Sequence, residues 1–307
     1  VISGSTPFPF LPIMGAWGIL VVTPLYTLHI LVFAYLVYRF GRPHFHTLFL
    51  AGAIFGMYEA YATGVLWAGW SEPPPIALFE VGVIETLVLV LFWHPVFAFT
   101  IPIFLAKSAL SHEDTSAINL QRFTTRRTLV WLAVVAGVFQ SINMPSPVMA
   151  LAIGVVNIGV LALFIFVCRK SGLSRFTFQQ LLPNKRQFRW ILGLMLLQYF
   201  FLGILSANKY PSMIGHIAVL ALYLVLALLF VKSLKVSRLS KLPNIALTTF
   251  NWGSFFLTAM VFVGTSVILT TAPGGAKPVV AIAVLLSYAL LGVVLFMIAL
   301  IQMIRQR

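Results

Sequence analysis

Three of the six acidic residues in this 307-residue chain, Glu59, Glu80 and Glu85, stand inside long apolar stretches. A charged side chain at mid-membrane depth costs at least about 2.5–3.5 kcal/mol, so such residues are candidates for ion, proton or substrate chemistry. Glu59 belongs to a stripe. Gly52, Gly56, Glu59 and Thr63 follow i, i+4, i+7, i+11 spacing on one helical face. Gly52 and Gly56 form a small-xxx-small pair that admits a neighbouring helix closely, which aims Glu59 into a bundle rather than at lipid. Gly82, one turn before Glu85, has the spacing to do the same there.

Histidines extend the set. His29 and His94 fall within apolar stretches, and His216 falls near the end of another. Two carboxylates at one depth would share a proton, hold a cation, or pair with a protonated histidine. Glu59 and Glu85 are read as the central pair, Glu72 and Glu80 as an electronegative approach, and His29 or His94 as ligand or relay. On a regular helix, Glu85 and His94 point nearly opposite ways. The structural alternative is that protonated Glu59 or Glu85 merely bonds a neighbouring helix. His44 and His46, beside Arg42, read as a polar loop.

The elements that must carry these residues follow from composition. The chain is 61% hydrophobic and only 8% charged, against about 25% charged in soluble domains. That excludes a soluble enzyme, a disordered chain and a coiled coil. It implies an all-α integral membrane protein, a polytopic bundle in a single transmembrane domain. Nine stretches are long enough to cross, at about 13–38, 46–70, 76–106, 128–144, 147–168, 190–207, 212–231, 245–271 and 279–303. Pro73-Pro74-Pro75, Pro145-Ser146-Pro147 and Pro273-Gly274-Gly275 punctuate them. The third is over-long, at about 46 Å as one helix, and contains Pro95 and Pro102.

Basic residues orient the spans. Of the 20 Lys and Arg, all but Lys209 and Lys277 fall in alternate gaps or the C-terminal tail. By the positive-inside rule the N-terminus is then outside and the C-terminus cytoplasmic. The net charge of +14 therefore reflects topology and contact with anionic lipids, not nucleic acid. Ser111-His112-Glu113-Asp114 reads as a helix start, and residues 171–189 as a segment in the headgroups. No intact signal peptide or internal repeat is expected. The lone Cys168 reads as packing.

No metalloprotease, nucleophile-elbow, phosphate-loop or dinucleotide motif is present. Three functional readings stay open. In the first, the protein binds or moves a proton or cation at Glu59 and Glu85. In the second, it is an intramembrane enzyme using that pair as acid and base on a lipid-like substrate. In the third, it is a subunit of a larger membrane complex or a homo-oligomer. A divalent metal or a bis-histidine haem on His29 and His94 fits the first two. The cell membrane is the expected location.

Overall fold

The computed structural model describes residues 18–69, 74–110, 115–116, 126–142, 144–205, 210–239, 245–246, 250–272 and 276–306. Among them the structure is helical, with two short antiparallel strand pairings. The order is α1 (Thr23–Phe40), α2 (Phe45–Ala62), the short α3 (Val65–Ala68), β1 (Ala77–Leu78), β2 (Val81–Gly82) and α4 (Val83–Leu110). There follow β3 (Thr115–Ser116), α5 (Arg126–Ile142), α6 (Pro147–Lys170), α7 (Phe178–Leu181), α8 (Lys185–Leu205) and α9 (Met213–Leu239). Last come β4 (Ile245–Ala246), α10 (Trp252–Thr270) and α11 (Ala276–Arg305).

Seven of these helices are long and apolar enough to cross a membrane. The other two expected spans correspond to α2, with 18 residues, and α5, with 17. At 1.5 Å per residue these measure about 25–27 Å.

Contacts divide the chain into two compact units. One comprises residues 1–27, 104–181 and 243–284. In it, α10 packs on α5 and α6. Gly137 lets the α5 backbone meet Phe262 O, and Gly154 meets Val263. Met144, Ala150, Ile153 and Val267 fill a core at that end. β3 and β4 pair antiparallel, Thr115 with Ala246.

The other unit comprises residues 28–103, 182–242 and 285–307, and all the candidate residues below belong to it. Its centre is α2. Thirteen of the 18 residues of α2 are buried, although His46, Glu59 and its tyrosines leave it outside the seven most apolar helices. The helices α8 and α9 instead expose large apolar side chains, such as Phe200 and Leu228, as lipid contact demands. Packing around α2 rests on small residues. A methyl on Gly52 would fall 2.5 Å from Pro95 Cα, and one on Gly56 only 2.8 Å from both Leu89 O and His94 Cβ.

Two features differ from the sequence reading. The third span starts at Val83, not at residue 76. Residues 77–82 form a hairpin in which Ala77 pairs with Gly82 and Leu78 with Val81. Its two-residue turn, Phe79 and Glu80, has positive φ at both positions, 51° and 67°. That is the backbone sense required to reverse a tight hairpin. Second, α4 is not uniform. Residues Leu89–Thr100 form a π-helical segment around Pro95. Proline removes a backbone donor and clashes with the preceding turn, and the wider turn relieves both.

Candidate functional site

Glu59 lies three residues before the end of α2, where Thr63 and the left-handed Gly64 stop the helix. Its Oε2 sits 3.4 Å from Nε2 of His94 on the π segment. The face that carries Gly52, Gly56 and Glu59 is therefore the face that meets α4, as the spacing implied. His94 is 1% exposed and Glu59 17%, so the carboxylate is the member that can be reached.

The tautomer of His94 follows from its other nitrogen. Nδ1 is 2.9 Å from Leu89 O, a carbonyl that can only accept, so Nδ1 carries a hydrogen. Nε2 is then bare when the ring is neutral. A bare nitrogen facing a carboxylate would be repulsive, and one proton makes the pair attractive. That proton resides on Glu59 in a neutral pair or on His94 in an ion pair. One shared proton would satisfy both members of the couple.

His29, fully buried on α1, contacts the Tyr199 hydroxyl of α8 through Nε2. Its ring also lies against Tyr58, 5.3 Å between centroids, and against Phe55, 4.5 Å away and stacked. Phe55 in turn meets the His94 ring at 4.9 Å, edge to face. Two polar couples, Glu59–His94 and His29–Tyr199, thus flank one phenylalanine.

A bis-histidine haem does not fit here. Both His94 nitrogens are engaged, and the Phe55 ring fills space against both imidazoles. Among the described residues, no three of His, Cys, Asp and Glu come together as metal ligands.

The remaining candidates divide. Glu85 is the third residue of α4 and 2% exposed, about 3 Å along from the helix start rather than deep along a longer span. Among the described residues its Oε2 has no hydrogen-bond partner. It does not bond Glu59, so the expected carboxylate pair is replaced by a carboxylate–imidazole pair. A methyl on Gly82 would run into the Glu85 carboxyl group. Glu80 is in the hairpin turn, outside any helix, and its Oε2 accepts a 2.8 Å hydrogen bond from Ser212 N–H. This caps the start of α9, where the helix dipole favours an anion. Glu72 lies outside the described residues, as does the expected helix start at Ser111-His112-Glu113-Asp114.

Several residues were missed by the sequence reading. Tyr199 and Tyr58 have no spacing that marks them in the sequence. His46 is fully buried, with Nδ1 2.9 Å from Ser233 Oγ and Nε2 2.9 Å from Gln306 Oε1. Gln306 Oε1 can only accept, so Nε2 donates and Nδ1 accepts the serine hydroxyl proton. This ties the start of α2 to α9 and to the end of α11. Near the other end of α2, Tyr61, Trp67, Tyr210 and His216 pack with centroids 5.1–6.3 Å apart, and Tyr61 Oη lies 3.2 Å from His216 Nδ1.

Residues 1–306 match the profile of an uncharacterized membrane protein family. The chain belongs to that family. It is an integral, multi-pass membrane protein, in accord with its seven long apolar helices. It is also similar to a curated protein of Archaeoglobus fulgidus described as uncharacterized. The two are 31% identical over 237 residues, covering 75% of this chain and 72% of the relative. No solved structure matches the chain.

Proposed function

We propose that this membrane protein binds a proton at Glu59–His94 and moves it through the bundle as its transport event or as the coupling ion of one. The observation that carries the reading is the 3.4 Å approach of Glu59 Oε2 to His94 Nε2, with His94 Nδ1 committed to Leu89 O. A buried, unpaired charge costs several kcal/mol, so the couple retains its proton until that proton has somewhere to go. One carboxylate and one imidazole are a sparse donor set for a metal ion, which favours the proton over a divalent cation. Glu85, buried with a free Oε2, is the second carboxyl group on the route. In this reading all nine expected spans cross the cell membrane, with the N-terminus outside and the basic gaps against cytoplasmic anionic lipid.

The test has two parts. Difference infrared spectroscopy across a pH titration should show a protonated carboxyl band that disappears in Glu59→Gln. In vesicles, potential-driven proton uptake, alone or with substrate, should fall to the lipid background in Glu59→Gln and His94→Gln while both variants remain folded. A wild-type spectrum without a Glu59 band would overturn the proposal, as would full activity in both variants.

A further inference from the structure

We infer that the hairpin at 77–82 is a latched lid over Glu85. The inference rests on the reading of Glu85 as a carboxyl group on the proton route and adds the element that controls access to it. Glu85 is 2% exposed, and among the described residues its Oε2 has no hydrogen-bond partner. A carboxyl group buried in that way exchanges with water only when its cover opens.

The hairpin supplies part of the cover. Both residues of β2, Val81 and Gly82, are buried, whereas both residues of β1, Ala77 and Leu78, are exposed. A methyl on Gly82 would strike the Glu85 carboxyl group and lie 3.0 Å from Pro74 Cβ. The inner strand of the ribbon thus lies against Glu85, and the outer strand is open to the surroundings.

The ribbon is fastened at its base and at its tip. At the base, Val83 N–H donates to Ile76 O at 2.9 Å. At the tip, Glu80 Oε2 accepts from Ser212 N–H at 2.8 Å, where the start of α9 favours an anion. The turn itself opposes closure. Phe79 and Glu80 both carry a Cβ in left-handed backbone, with φ of 51° and 67°, a conformation that costs an L residue free energy. Two strands alone are also marginal in stability. The base is therefore the hinge and Glu80 the latch. When Glu80 releases Ser212, the ribbon lifts and Glu85 is reached.

Labelling of Glu85 from water reads the lid. The full chain in vesicles is treated with a water-soluble carbodiimide and glycine ethyl ester, and the labelled glutamates are followed by mass spectrometry. Glu80→Ala removes the latch. A lost acceptor at a helix start shifts an opening equilibrium by about fivefold, so Glu85 should label about fivefold faster than in wild type. Phe79→Asn relieves the turn, because Asn tolerates left-handed backbone, and should slow the labelling. Ser212→Ala keeps the N–H that Glu80 bonds and loses only the hydroxyl that accepts from Ile214 N–H. It should label at the wild-type rate, which separates the latch from a frayed helix start. Glu59, 17% exposed, is the internal reference and should label equally in every variant.

An unchanged Glu85 rate in Glu80→Ala would overturn the inference, as would faster labelling in Phe79→Asn. A rise at Glu59 that matches the rise at Glu85 would also overturn it, because the variant has then loosened the bundle rather than the lid. The wild-type infrared titration of Glu59 decides the underlying proton reading independently of these outcomes.

Discussion

Gly56→Ala should damage the proton couple without touching either of its members. The added methyl would lie 2.8 Å from Leu89 O, 2.8 Å from His94 Cβ and 3.0 Å from His94 Cγ. Ordinary contacts of this kind start near 3.4 Å, so α2 and the π segment must part by several tenths of an ångström. Two of the obstacles are a backbone carbonyl and a Cβ, which cannot rotate away. Overpacking of this kind costs about 1–3 kcal/mol, while replacing glycine by alanine inside a helix returns about 1 kcal/mol. The net loss of stability is therefore about 0–2 kcal/mol, small enough for the protein to fold. The functional loss is larger, because the displaced group is the ring whose Nε2 faces Glu59. Thermal unfolding in detergent would read the first effect, and the Glu59 carboxyl band with vesicle proton uptake the second. Gly159→Ala on α6 is the control, since nothing lies within 4 Å of its methyl, and it should stabilise by about 0.5–1 kcal/mol. A Gly56→Ala protein with an unchanged Glu59 band and a gain in stability equal to that of Gly159→Ala would refute the close-approach argument.

Other positions give separate expectations. Ser233→Ala leaves His46 Nδ1 only the longer, 3.3 Å approach of Thr47 Oγ1 and should lower thermal stability by about 0.5–1.5 kcal/mol, with proton binding at Glu59 unchanged. His44, in the loop before α2, has its pKa lowered from 6.5 to about 4 by burial first and then by His46 and Arg42. The folded protein thus resists a proton that the unfolded chain accepts. His44 should leave stability unaffected above pH 6.5, cost stability progressively between pH 6.5 and about 4, and add no further loss below. His44→Asn should flatten that part of a thermal-stability profile. Gln140 on α5 is 0% exposed, and among the described residues neither of its amide atoms has a hydrogen-bond partner. Gln140→Leu should therefore leave thermal stability equal or higher, and a marked fall would show that the amide is satisfied in the membrane.

The sequence carried the glycine stripe of α2 because the stripe is a property of one helix. Gly52, Gly56 and Glu59 had to share a face, and that face had to be approached closely. The partner of Glu59 was not legible, because contacts between helices leave no spacing signal in either one. Regular helix geometry even argued against grouping His94 with the candidates at the start of its span. That arithmetic assumes 3.6 residues per turn, whereas Leu89–Thr100 winds more widely. Pro95, inside the apolar run, was the visible warning. The hairpin at 77–82 was hidden for a different reason. Its turn residues, Phe79 and Glu80, lack the Gly or Asn that normally marks a two-residue reversal, and the apolar run through Ile76 and Val81 resembles the start of a span.

The same physics explains why the functional candidates gather on α2, most of whose residues are buried. A helix that faces lipid must be apolar all round its exposed surface, as α8 and α9 nearly are. A helix surrounded by other helices is released from that demand, and α2 uses the release at both ends. Near its start, His46 is fixed by Ser233 and Gln306 with both ring nitrogens satisfied, which makes it an anchor. Near its end, Glu59 and His94 are left one proton short of mutual satisfaction. Two polar groups on one helix are thus in opposite hydrogen-bonding states. The difference lies in whether the partners supply every hydrogen the pair requires. His46 gives its own Nε2 hydrogen to Gln306 and takes one from Ser233, whereas a neutral His94 has no hydrogen on the nitrogen that faces Glu59.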